Sequence, residues 1–307
     1  MAQIGDIVLS REELEVEQRL VQRHARFNSD EFGQPWFFRM RQSRSADTGL
    51  VGYYGADTLK SGIVIAKDML GERKEYKMFA WFPSFQTFEQ WLMRHPLESS
   101  CNYYEVIGST TKKQKPYFDI DMSIQDLRNI LFSTQLELVP EQATQGVGNR
   151  VAMHIAKKIS ELVGSTYGVS GSALNCNVYM SKYDDEKTGL PRKFSYHIVF
   201  TEFCLSGHEE MRAFGQLVKS TFPEFADVVD DIWHSLRQFR LYGSWKRGKP
   251  YTSAKYLYGS IEAPYRPQEN ALKESLVTDC HHIFVVSNAL TEPDVAEQTS
   301  ENETDDE

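Results

Sequence analysis

Cysteines are few in this 307-residue chain, and they follow no pattern. Cys101, Cys176, Cys204 and Cys280 form no C-x-x-C pair, so the spacing of a structural zinc finger is missing. Cys280-His281-His282 is the one local run of soft ligands. Neighbours in a strand point to opposite faces, which makes one shared metal hard to build there. No apolar run approaches the ~18 residues of a membrane span. Met1 to Leu20 also lacks a basic-then-apolar leader pattern. The expectation is a reducing, intracellular compartment, with no membrane and no secretion.

Positive charge is scarce as well. Lys and Arg number 34 against 43 Asp and Glu, a net charge of −9. That balance argues against a protein that binds nucleic acid through overall charge. Its distribution changes the reading. Residues 292–307 hold eight acids (Glu292, Asp294, Glu297, Glu301, Glu303, Asp305, Asp306 and Glu307) and no Lys or Arg. Without them the rest of the chain is close to neutral, so binding has to rest on local patches. The stretch Ile232–Ile261 contains no acid. It carries Arg237, Arg240, Lys246, Arg247, Lys249 and Lys255 among Trp233, Phe239, Tyr242, Trp245, Tyr251, Tyr256 and Tyr258. Interleaved cations and aromatics suit a groove that tracks a phosphate backbone and stacks bases. The same composition also fits an ordinary strand pair with a solvated basic edge.

Hydrophobic content of 41% and charged content of 25% are ordinary for a globular protein. The length allows one large domain or two small ones. Ser10 with Glu13 reads as a capping box opening a helix to Phe27. Residues 29–62 are Gly-rich and polar and read as loops or short strands. Strands are expected at Tyr76–Phe82, Tyr103–Ile107, Tyr117–Asp121, Asn177–Lys182, Lys193–Phe200, Gln238–Lys246, Ala254–Tyr258 and His282–Val286. Helices are expected at Ser84–Arg94, Val147–Leu162 and Gly207–Phe222. Helices alternate with strands, yet hairpins are present. The class is therefore α+β with a mixed sheet rather than a doubly wound parallel one.

Two strand-like segments carry chemistry. In Tyr117-Phe118-Asp119-Ile120-Asp121 the two carboxylates share one face, with Phe118 and Ile120 behind. In Lys193-Phe194-Ser195-Tyr196-His197-Ile198 a cation, a hydroxyl and an imidazole share one face, with aromatic and aliphatic residues behind. The first face offers oxygen ligands for hard divalent ions, and the second offers donors to phosphate oxygens. Nucleotidyl transfer needs both. The plain alternatives are a solvent-facing acidic strand and a hydrogen-bonded core histidine. Burial of two carboxylates beside Tyr117 and Phe118 requires compensation, which weakens the first of these.

Together with Val228-Val229-Asp230-Asp231 and Arg237-Gln238-Phe239-Arg240-Leu241-Tyr242-Gly243-Ser244-Trp245-Lys246, these segments resemble the three motifs of the archaeo-eukaryotic primase superfamily, in its PrimPol-like branch. The likeness runs from about Arg73 to about Lys249 and includes Tyr104-Glu105-Val106-Ile107. It implies an RRM-like catalytic sheet over residues 111–288 and an N-terminal α/β module over 1–110. A disordered acidic tail over 289–307 is read from composition. The resemblance further implies a template-directed primase-polymerase. It would extend primers, and secondarily initiate them, on single-stranded DNA in replication or damage tolerance. Its setting would be a nucleus, a mitochondrion or a viral replication site.

On the same grounds Asp119, Asp121 and Asp230 hold two Mg²⁺ or Mn²⁺ ions. Asp231 competes with Asp230, because the gap to Phe239 is one residue shorter than usual. Lys193, Ser195 and His197 contact the triphosphate of a dNTP or NTP. Arg237, Arg240 and Lys246 match positions that grip the outer phosphates; Arg240 and Lys246 share a face if the strand is unbroken. Tyr104 lies near the incoming sugar or, alternatively, packs in the core. A helicase, or a single-strand-binding protein docked on the acidic tail, would be a partner; the plain alternative for the tail, favoured by its few apolar anchors, is a solubilising segment. The zinc module that commonly follows in the family is not visible, so extension is expected ahead of unprimed synthesis. A metal-dependent nuclease and a catalytically silent DNA-binding module are the competing functions.

Overall fold

The computed structural model describes residues 2–4, 7–9, 27–30, 33–38, 40, 49–70, 75–94, 103–107, 113–136, 144–184, 191–233, 237–244, 254–258, 271–280, 283–286 and 290. Strands β1 (Ala2–Ile4) and β2 (Ile7–Leu9) form a small antiparallel pair. Six strands make the larger sheet: β3 (Phe27–Ser29), β4 (Pro35–Phe37), β5 (Ile63–Leu70), β6 (Glu75–Phe82), β7 (Tyr103–Ile107) and β12 (Arg237–Arg240). Their order is β12-β7-β5-β6-β4-β3, and every pairing is antiparallel. The second sheet has the order β13-β9-β10-β8, also antiparallel. Its strands are β8 (Tyr117–Ser123), β9 (Cys176–Asp184), β10 (Pro191–Phe200) and β13 (Ala254–Tyr258). Strands β11 (Phe203–Cys204) and β14 (Phe284–Val285) pair in parallel. The class is α+β with antiparallel sheets.

Period-two patterning sets the second sheet. Phe118, Ile120 and Met122 of β8 and Phe194, Tyr196 and Ile198 of β10 are fully buried on its rear. There they join Val151, Ala152, Ile155 and Ile159 of the long helix in one core. The helices are α1 (Leu50–Tyr54), α2 (Ala56–Lys60), α3 (Phe85–Arg94), α4 (Ile124–Thr134), α5 (Gln145–Tyr167), α6 (His208–Thr221) and α7 (Ala271–Ser275). Helix α4 starts at once after β8. Ser123 Oγ accepts from Asp126 N at 3.1 Å and Asp126 Oδ2 accepts from Ser123 N at 2.8 Å, a reciprocal cap. Gly168, at φ +67°, ends α5.

Helix α5 can approach the sheet because of Gly148. A Cβ there would stand 2.4 Å from Phe194 Cδ1 and 2.7 Å from Tyr196 Oη. Gly148→Ala is therefore expected to lower stability by about 1–3 kcal/mol, despite alanine's better helix propensity. A urea titration checks it, and an unchanged midpoint would mean that the helix simply shifts.

Several sequence expectations need correction. Residues 29–62 include two helical turns, α1 and α2, whose Leu50 and Leu59 pack with Phe37, Val64 and Ala66. The strand expected over Gln238–Lys246 stops at Arg240. Tyr242 and Gly243 turn the chain, with Gly243 at φ +79°, so Arg240 and Lys246 do not share one unbroken strand. The first helix (10–27, save Phe27), Lys246, His282 and the tail beyond Leu290 lie outside the described residues. Among the described residues no helix is long and apolar enough to cross a membrane.

After α7 the chain runs as a strap over both sheets. Leu276 packs with Trp36, Phe82, Trp91 and Tyr103, on the larger sheet's core. Val277 packs with the core behind the second sheet. Beneath the strap lies Glu105 of β7, fully buried. Its carboxylate accepts from Val277 N at 2.6 Å, Thr278 N at 2.8 Å and Thr278 Oγ1 at 2.5 Å.

Candidate active site

The front of the second sheet carries the polar residues, and the strand register aligns them in rows. Asp119 lies opposite His197, and His197 opposite Tyr179. Asp121 lies opposite Ser195, and Ser195 opposite Ser181. Ser123 lies opposite Lys193. Directly paired residues in an antiparallel ladder project to the same side. The acidic pair and the Lys-Ser-His set therefore interleave on a single surface.

Within it, Lys193 Nζ meets Asp121 Oδ2 at 2.5 Å, and His197 Nε2 stands 3.6 Å from Asp119 Oδ1. The His197 ring stacks on Phe239 at 4.0 Å between centroids. Phe239 belongs to β12, the edge strand of the other sheet, so the site lies at the seam between the sheets. From the same strand Arg240 Nη1 donates to Ser181 Oγ at 2.9 Å.

Asp230 reaches this surface through the backbone. Its N–H donates to Asp119 O at 2.9 Å, next to the bridge between Ile120 and Val229. Asp231 is held differently: Lys219 Nζ lies 3.1 Å from its Oδ1, and Arg237 Nη2 donates to its carbonyl at 3.4 Å. Tyr104 stands opposite Arg240 across β7 and β12. Its hydroxyl donates to Asp68 Oδ2 at 2.9 Å, and Lys77 bridges Asp68 while lying 4.0 Å over the Tyr104 ring. Of the ten sequence-derived site residues, the seam gathers Asp119, Asp121, Asp230, Lys193, Ser195, His197 and Arg240. Arg237 lies at its edge on the Asp231 carbonyl, and Tyr104 lies beside Arg240. Ser181 and Phe239 were not among the site residues read from sequence.

Three carboxylates, Asp119, Asp121 and Asp230, act on one another at this surface. Burial pushes the Asp119 carboxyl up to about 7, helped by the charges of Asp121 and Asp230 and opposed by Arg240 and Lys193. Asp230 is raised too, by burial and then by Asp121. Burial, then the Arg240 charge, holds His197 down at about 3, so its imidazole is neutral at physiological pH.

Two buried oxygens, Asp119 Oδ1 and Asp121 Oδ1, have no hydrogen-bond partner among the described residues. Unmatched buried carboxylate oxygens and mutual repulsion among acids fit a divalent cation, which hard oxygen ligands favour. Among the described residues no three His, Cys, Asp or Glu side chains stand together as a ready cage. A third ligand would have to swing in, and Asp230 is placed to supply it.

A stability test follows from the raised carboxyl. The Asp119 folded value lies above its ordinary 3.8. Its contribution to stability is thus full below about 3.8 and lost as the pH rises through about 7. Asp119→Asn removes that loss. In EDTA at pH 8 the variant should melt a few °C above the parent, and the gain should shrink as the pH falls toward 4. Mn²⁺ should raise the parent's melting point and leave the variant's unchanged. A variant that melts no higher than the parent at pH 8 would refute the crowding of charge at this site.

No family model matches the chain. It is 24% identical, over 221 residues covering 69% of its length, to a provisionally named helicase/primase complex protein of African swine fever virus (isolate Pig/Kenya/KEN-50/1950). The counterpart from strain Badajoz 1971 Vero-adapted is 23% identical over 219 residues. The matched stretch is 19% and 20% of those proteins, so the chain spans about a fifth of the curated relatives it matches.

Proposed function

We propose that the chain is a primase-polymerase that adds nucleotides to a primer 3′-hydroxyl on a single-stranded DNA template, in replication or damage tolerance. One observation carries this reading. An acidic pair and a Lys-Ser-His set face one another residue for residue, Asp119 with His197 and Asp121 with Ser195. Paired strands lie about 4.8 Å apart, which brings cation ligands and phosphate donors to the two sides of one reacting phosphate. The names of the viral relatives support the same reading and make a helicase the first partner to test. The two antiparallel sheets are compatible with the primase superfamily's architecture of an N-terminal module up to about residue 110 and an RRM-like catalytic module after it.

Asp119, Asp121 and Asp230 would hold Mg²⁺ or Mn²⁺. Bound there, two such ions supply charge neutralisation at the attacking and leaving oxygens. The remaining work falls to the chain's own groups. Neutral His197 keeps an N–H to donate to a phosphate oxygen, and Phe239 fixes its ring plane. Ser195 donates its hydroxyl from the neighbouring row. Lys193 adds a point charge, exchanging Asp121 for phosphate. Arg237, Arg240 and Lys246 grip the outer phosphates, and Tyr104, held by Asp68, floors the sugar. Asp230 is the third acid in preference to Asp231, whose carboxylate is engaged by Lys219.

The test is one template with and without primer, in Mg²⁺ and in Mn²⁺, with dNTPs or NTPs. Extension that copies the template supports the reading. Shortening of DNA without nucleotides would instead indicate a nuclease, and binding without synthesis a silent module. His197→Ala should weaken nucleotide binding about tenfold to a hundredfold and leave template binding unchanged. If it melts the protein with nucleotide affinity intact, His197 is a core residue.

We assign the acidic tail to a single-strand-binding partner. Its base is tied down, since Leu290 N donates to Glu210 Oε1 at 3.1 Å. Deleting residues 292–307 should leave extension on naked template intact and remove stimulation by that partner. Equal partner binding by both forms, measured by calorimetry at physiological salt, rules the assignment out.

A further inference from the structure

Arg240 enters the site from the edge strand of one sheet, and the group that receives it belongs to the middle of the other. Ser181 is 3% exposed, on β9, directly opposite Ser195, which is directly opposite Asp121. Its Oγ accepts from Arg240 Nη1 at 2.9 Å. The contact thus crosses the seam and ends in the row that holds Asp121 and Ser195.

We infer that Ser181 is a positioning residue, which presets the Arg240 guanidinium for the triphosphate of the incoming nucleotide. The inference rests on the function proposed above. Three features of the contact argue for it. An arginine carries long, rotamer-rich side-chain freedom, and fixing it during folding removes that loss from the binding step. This partner is an uncharged hydroxyl, so the contact itself directs the guanidinium without neutralising it, and the Arg240 charge also acts on Asp119 in the same site. Lys193, by contrast, is matched to the carboxylate of Asp121 in the same region. The guanidinium has five N–H donors in a rigid fork, and Ser181 takes one, which anchors one arm of the fork at the seam.

The probes are dATP with Mg²⁺, inorganic tripolyphosphate and inorganic phosphate, measured by calorimetry, alongside steady-state extension of a primed template. The parent should bind dATP and tripolyphosphate and discriminate against phosphate. Ser181→Ala should raise the KM for dATP about three- to tenfold, with a smaller change in kcat and no change in primer-template affinity. Ser181→Thr, which keeps the hydroxyl, should restore the parent value. Ser181→Asp should weaken tripolyphosphate more than alanine does, because it adds a negative charge beside the guanidinium. In an Arg240→Ala background, Ser181→Ala should change nothing further. If the alanine variant does not fold, Ser181→Cys, a weaker acceptor of similar size, replaces it. Parent-like triphosphate binding by Ser181→Ala, or fully additive losses in the double variant, overturns the inference. A parent that binds neither dATP nor tripolyphosphate overturns the polymerase reading itself.

Discussion

Asp119→Ala and Asp121→Ala should each reduce nucleotide incorporation by about a thousandfold or more, equivalent to about 4 kcal/mol of barrier. Neither should unfold the protein. Both carboxylates lie on the half-open front of the sheet, while Phe118, Ile120 and Met122 carry the packing behind. Template affinity should fall little, or rise, because removing an anion from a phosphate-binding surface reduces repulsion. Single-turnover extension separates these terms, since a chemical defect persists at saturating template and nucleotide. Near-parental extension by a folded Asp119→Ala protein would falsify the polymerase assignment. Asp230→Asn should share the defect and Asp231→Asn should not. The reverse result would move the third acid to Asp231.

The second large effect concerns stability. Glu105→Ala should destabilise the fold by about 3–5 kcal/mol, or about 10 °C in melting point. The carboxylate satisfies two backbone N–H groups and one hydroxyl of the strap, all buried. Deleting it leaves all three without an acceptor and opens a hole between the sheets. Thr278→Ala removes only one donor and should cost about 1 kcal/mol. Chemical denaturation of the three proteins checks the order. A Glu105→Ala midpoint close to that of Thr278→Ala would show that water replaces the carboxylate.

The chemistry-bearing strands were legible because alternation is a local signal. Phe118, Ile120, Phe194, Tyr196 and Ile198 mark the buried face, and the intervening polar residues must then share the other. The first part of the six-stranded sheet was less legible. Gly49, Gly52 and Gly55 suggested loops, yet two five-residue helices use Gly49 and Gly55 as ends and take Gly52 into the first of them. Helix α4 was missed because its capping box uses Asp126 where Glu or Gln is usual, and its exposed Phe132 blurs the apolar stripe. Ser181 was invisible for a different reason. A lone serine in a strand has no meaning until the register sets it opposite Ser195 and the fold brings Arg240 across from 59 residues away. The His197–Phe239 stack likewise joins segments that no sequence window contains.

The strap has a consequence for how the protein can be made. Glu105 and its donors are 172 and 173 residues apart in the chain. Strand β7 also gains its outer neighbour, β12, only late in synthesis. Until then β7 is an open sheet edge, and the carboxylate beneath it lacks the three donors of the strap. Pairings of such long range form slowly and leave the growing chain prone to sticking to other chains. A shortened protein ending before Ala271 would contain every described acid, hydroxyl and imidazole of the site. It would nevertheless emerge from the ribosome without the Val277 and Thr278 donors of Glu105 and with the apolar seats of Leu276 and Val277 uncovered, and is expected to collect in inclusion bodies where the full chain stays in solution.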